Sequence, residues 1–259
     1  MWEWWHGVGL LVAIAVIMLV TLFSKLALSL FSLSSTSIMA LWIGFMVLMG
    51  ITMVLIGHGV TGTFKGFLID PRNKMSLSRL QLILWTIVIL PAFLAAAVFN
   101  FGTGAEDPLN ITVPPEVWGL LGISGGSLAG AGIIKSRRTN EDEVAEEVLE
   151  KPPSRAAVAR NLQVVNADPN EARVSDLFKG ELVGSKNYLE VGKLQMFFFT
   201  LIVVFTYGKA IGSGFDNAGE AIDSLPELSA GMLALLAISH AGYLANKSVP
   251  FNTHGPSRA

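Results

Sequence analysis

Long apolar runs separated by short polar connections dominate this chain, and the length of the runs decides the fold. A bilayer core ~30 Å thick needs roughly 20 apolar residues in a helix, because irregular backbone cannot satisfy its hydrogen bonds in lipid. Six runs meet that demand: Val8 to Phe31, Ile38 to Val60, Leu80 to Phe101, Glu116 to Ile134, Leu194 to Ser213 and Leu228 to Asn246. The pattern therefore predicts an all-α polytopic membrane helical bundle. Pro91 lies inside the third run, where a kink is expected. The opening Met1-Trp2-Glu3-Trp4-Trp5 lacks the basic start and small-residue cleavage site of a signal peptide, so it is expected to remain as an aromatic anchor.

Lys and Arg in the connections set the orientation, since cytoplasmic loops are enriched in them. Segment 61–79 carries Lys65, Arg72, Lys74 and Arg79; the long connection opens with Lys135, Arg137 and Arg138 and closes with Lys186 and Lys193; the tail holds Lys247 and Arg258. The connections 102–116 and 214–227 carry only acidic charge. Both termini are thus expected in the cytoplasm, with Lys209 snorkelling to the outer interface.

A recurrence at a constant offset of 114 residues divides the chain further: Phe64-Lys65-Gly66 returns as Phe178-Lys179-Gly180, Arg79-Leu80-Gln81 as Lys193-Leu194-Gln195, and Thr86 as Thr200. Leu120-Leu121-Gly122-Ile123-Ser124 is matched by Leu235-Leu236-Ala237-Ile238-Ser239 with a small change in spacing. The expected organisation is an N-terminal hairpin (1–60), a first two-helix unit (61–134), a cytoplasmic insertion (135–177), a second unit (178–248) and a tail (249–259). Two helices per unit make these parallel repeats about an axis along the membrane normal.

Composition narrows the chemistry. Apolar residues make up 52% and charged residues 15%, with a mean hydropathy of +0.56. Of the thirty-eight charged residues, twenty-one lie between Lys135 and Lys193. A net charge of −2 offers no field for nucleic acid, and the absence of cysteine removes thiolate metal sites and cysteine nucleophiles. No phosphate loop or metal-ligand cluster is evident, so neither a cofactor nor a metal is expected.

The segments Leu80-Gln81 to Thr86, Gly122-Ile123-Ser124 and Ala237-Ile238-Ser239-His240-Ala241-Gly242-Tyr243 resemble uncharacterised bacterial multi-pass inner-membrane proteins over residues 64–250. The resemblance implies a bacterial inner membrane and no particular activity. A second resemblance is to rhomboid intramembrane proteases, through Gly122-Ile123-Ser124-Gly125-Gly126 and His240. It implies Ser124 as nucleophile and His240 as general base. Against it, Ser124 has a matched residue in Ser239, the connection between the first two spans is only about Ser32 to Ser37, and no His-Asn oxyanion pair is evident in the second span.

Gly122, Gly126 and Gly130 lie at four-residue spacing in one span, and Ala237, Ala241 and Ala245 in another. Small faces are a main source of helix association in lipid, where no hydrophobic drive exists between helices. The bland expectation is packing within one subunit. The sharper one is packing between copies around an axis, with Ser124, Ser127, Ser239 and His240 as a polar stripe. Gln81 and Gln195 are expected to hydrogen-bond between the units, and Phe64, Lys65, Phe178 and Lys179 to lie at the membrane interface. The residues thus read as a non-enzymatic, homo-oligomeric membrane protein, channel-like or scaffolding, with residues 135–192 able to dock a cytoplasmic protein. The alternatives are the rhomboid-like serine protease, and a transporter or accessory subunit of a larger membrane complex.

Overall fold

The computed structural model describes residues 4–22, 35–126, 129, 163–219 and 221–248. Among them the chain is all helical: α1 (Trp4–Leu22), α2 (Ser35–Thr61), α3 (Leu77–Thr103), α4 (115–126), α5 (Val191–Asp216) and α6 (Ala230–Ser248), with short 3₁₀ turns at Gly66–Leu68, Pro169–Glu171 and Val174–Leu177. Extended backbone is limited to isolated bridges.

Three stretches are long and apolar enough to cross a membrane: Ile38–Thr61, Leu77–Thr103 and Val191–Asp216. Those in α1 and α6 are shorter, Gly9–Met18 and Ala230–Ala245. The membrane reading is also visible on the helix surfaces. Ile43, Val47 and Ile51 on α2, and Phe198, Ile202 and Phe205 on α5, are all at least half exposed. Stripes of that length at helical spacing suit lipid and would be a liability in water.

α3 is the central helix, with 56% of its apolar window buried against 33% for α5 and 17% for α2. Its sequence explains this position. Ala92, Ala95 and Ala96 are fully buried and let neighbouring backbones approach, while Trp85, Val88 and Ile89 supply bulk against α2 and α5. Trp42 of α2 donates its indole N–H to the Val88 carbonyl at 3.1 Å and meets Phe215 of α5 edge-on at 5.8 Å. α3 continues through Pro91 and stops where Gly104 adopts a left-handed φ of 80°.

The connections at the two ends of the bundle pair with each other. At one end Asn100 grips Ile222 at two points, Nδ2 donating to its carbonyl at 2.9 Å and Oδ1 accepting from its N–H at 2.8 Å. Thr112 and Asp223–Leu225 add two backbone bonds. At the other end the glycine of each Phe-Lys-Gly element is dictated by crowding. A Cβ on Gly66 would strike the Gly57 carbonyl, and one on Gly180 would lie 2.5 Å from the Ser185 carbonyl.

Candidate functional site

The end of the bundle opposite Asn100 carries a layer of charge built from two distant segments. Asp70 caps its own turn, accepting from the Arg72 N–H at 2.9 Å and from the guanidinium at 2.7 and 3.0 Å. Arg72 Nη1 then reaches Glu181 Oε2 at 3.2 Å. Glu181 also holds Lys193 at 3.3 Å, the residue that opens the first turn of α5, and Lys193 in turn meets Glu190 at 3.3 Å and donates to the Lys179 carbonyl at 2.7 Å. Lys74 pairs with Asp176 at 3.6 Å. Asn73 and Asn166 exchange side-chain to carbonyl bonds of 2.9 and 2.8 Å, and Asn73 takes the left-handed φ of 56° that its short amide tolerates.

Burial sets the electrostatics of this layer. For Arg72, desolvation lowers the pKa, but the carboxylates of Glu181 and Asp70 outweigh it and hold the guanidinium above its ordinary value. For Lys74, desolvation is the larger effect and Asp176 compensates only in part, so its ammonium lies below its ordinary value. One partly buried carboxylate, Glu181, therefore ties the loop after α2 to the start of α5, and Tyr243 on α6 brings its hydroxyl to 3.4 Å from the same group.

Beneath this layer lies an uncharged polar cluster shared by α3, α5 and α6. Gln81 Nε2 donates to Thr200 Oγ1 at 2.5 Å and stands 3.4 Å from His240 Nε2. Ser78, Trp85, Ser239 and Tyr243 complete it, every one of them buried.

The expected site residues distribute as follows. Ser124, Ser239, His240 and Gln81 are all buried, but His240 faces Gln81 and no hydrogen bond joins it to Ser124. Gln195 is exposed and forms no bond between the units. Gly122 and Gly126 are exposed with nothing near their Cα protons, Ala237 is half-buried, and Ala241 and Ala245 are exposed. Gly130 and Ser127 lie outside the described residues. Phe64 is 62% exposed and its ring lies tilted against His58 at 4.4 Å, and Lys65 donates to the Ala172 and Asn170 carbonyls at 2.6 and 3.4 Å. Phe178 packs edge-on against Phe197 at 5.1 Å, and Lys179 is half-buried.

Glu181 went unnoticed in the sequence. The available signal was complementarity of charge, with Arg72 and Lys74 in one loop against Asp176, Glu181 and Glu190 in the other. Comparison with protein-family models, with curated proteins and with solved structures finds no match to this chain.

Proposed function

We propose that this chain is a non-enzymatic integral membrane protein that works as a homo-oligomeric scaffold in a bacterial inner membrane, with six spans and both termini in the cytoplasm. The observation that carries the proposal is the bare face of α4, where Gly122 and Gly126 are exposed and, among the described residues, have no neighbour within 4 Å of the position a Cβ would take. In lipid such a face gains nothing by being small unless another helix lies against it. Ala241, Gly242 and Ala245 leave a similar exposed face on α6.

The scaffold form is favoured over a channel because, among the described residues, the polar side chains of the expected stripe are closed inside the subunit. Gln81, Ser124, Ser239 and His240 are between 1 and 6% exposed. The ion-paired layer, which locks residues 163–190 onto the loop after α2, supplies a rigid platform for a cytoplasmic protein. The protease reading requires Ser124 to hydrogen-bond His240, and His240 instead faces Gln81.

Native mass spectrometry of the full chain in nanodiscs tests the proposal. A defined oligomer is expected, falling to monomer in Gly122→Ile/Gly126→Ile. A wild-type chain that is monomeric at every concentration would refute it, and labelling of Ser124 by a fluorophosphonate probe would replace it with the protease reading.

A further inference from the structure

Five side-chain atoms in the cluster beneath the charged layer are buried with no hydrogen-bond partner: Ser78 Oγ, Gln81 Oε1, Trp85 Nε1, Ser239 Oγ and His240 Nδ1. Their residues are between 0 and 6% exposed. Orphaned polar atoms are rare in native interiors, and they are costlier where the surroundings are lipid. Ser78, Gln81 and Trp85 share one face of α3, at spacings of three and four residues, Gln81 lies against His240, and Ser239 precedes His240 on α6.

The network fixes what each atom needs. Thr200 has one hydroxyl proton and donates it to the Met196 carbonyl at 2.8 Å, so toward Gln81 it can only accept. The amide nitrogen of Gln81 must therefore face Thr200, which leaves Oε1 pointing elsewhere. His240 Nε2 meets that same amide nitrogen and must accept as well, which places the ring proton on Nδ1. The unmatched set is then two obligate donors, Trp85 N–H and His240 Nδ1–H, one obligate acceptor, Gln81 Oε1, and the hydroxyls of Ser78 and Ser239, which can do either. A cation has too few acceptors here, and an anion would meet the Gln81 carbonyl and no positive charge. A molecule that accepts twice and donates twice fits, and that molecule is water.

We infer that α3, α5 and α6 enclose a water-binding site held by Gln81, Trp85, Ser239 and His240. The site has a polar connection to the charged end of the bundle, where Tyr243 reaches Glu181 at 3.4 Å. Toward the other end α3 presents Ala92, Ala95, Ala96 and Val98, all fully buried and apolar.

Water-edited solid-state NMR on the full-length chain in nanodiscs, with 15N-labelled Trp and His, tests the site directly. The probe is bulk water, and Trp42 is the internal control because its buried indole N–H is already paired with the Val88 carbonyl. Trp85 and His240, assigned through Trp85→Phe and His240→Gln, are expected to receive magnetisation from water several times faster than Trp42. His240 is expected as the Nδ1–H tautomer, and Gln81→Met should cut the transfer at Trp85 severalfold while leaving Trp42 unchanged. Transfer at Trp85 no faster than at Trp42, an Nε2–H tautomer, or a Trp85 signal indifferent to Gln81→Met would each overturn the inference.

Discussion

Removing the charge of Glu181 while keeping its shape, as Glu181→Gln, probes whether the charged layer holds the two loops together. The glutamate is 16% exposed and its partners Arg72 and Lys193 are 9% and 3% exposed, so the pair energies are only partly screened by solvent. Deleting one partner of a buried pair costs ~3–5 kcal/mol, because the remaining charge is stranded. Here neither cation is wholly stranded. Arg72 keeps Asp70 at 2.7 Å and Lys193 keeps Glu190 at 3.3 Å. Two charge-assisted bonds weakened in this way correspond to a loss of about 2–3 kcal/mol. Chemical unfolding of the purified protein in detergent would read that loss directly, and limited proteolysis within residues 163–190 should accelerate. A Glu181→Gln chain that unfolds within ~0.5 kcal/mol of wild type would behave like an ordinary surface substitution and refute the reasoning.

Other perturbations follow from the same packing. Asn100→Ala leaves the N–H and carbonyl of Ile222 unpaired in a buried position, so it should destabilise by about 2–3 kcal/mol in the same unfolding assay. Gly57→Ala drives a methyl group into the Phe67 and Gly66 backbone, where no side chain can swing away, and should cost about 1–3 kcal/mol and expose the 61–76 loop to protease. Lys74 has a folded pKa below its ordinary 10.5, so at high pH the unfolded chain binds more protons than the folded one there. Stability should consequently gain with pH between that lowered value and 10.5, and comparison of wild type with Lys74→Met over the alkaline range should show the gain disappearing in the variant.

Helices were the legible part of this sequence. The runs predicted at Leu80 to Phe101 and Leu194 to Ser213 became Leu77–Thr103 and Val191–Asp216, longer by about a turn because the polar residues at each entrance continue the helix. Arg79 and Lys193 were read as loop charges, yet both are helical, and Lys193 is buried among carboxylates. Hydropathy could not find this, since it scores a lysine without knowing its partners. Ser124, Ser239 and His240 are buried, and the neighbour of His240, Gln81, comes from a face of α3 that periodicity alone does not orient. Spans one, two, four and six were expected on the same footing as the other two. By length and hydropathy the second joins α3 and α5, and α1 and α6 hold shorter apolar stretches.

Residues that match in sequence are used unequally, and this bears on how the fold works. Gln81 matches Gln195 and Thr86 matches Thr200, so a symmetric pair of units would carry a Gln195–Thr86 bond beside the Gln81–Thr200 bond. Instead Gln195 is exposed, while Thr86, like Thr200, donates to the carbonyl four residues back in its own helix. The difference traces to α2, which packs across α3 through Trp42 and Phe45 and makes α3 the core of the bundle, while α5 keeps a lipid-facing side. A glutamine on a central helix must find partners among its neighbours, and Gln81 draws in Thr200 and His240; the same residue on a peripheral helix is free to face the interface. The packing of α2 on α3 thus decides which of the two matching glutamines lies in a buried polar cluster, and His240 meets Gln81 there.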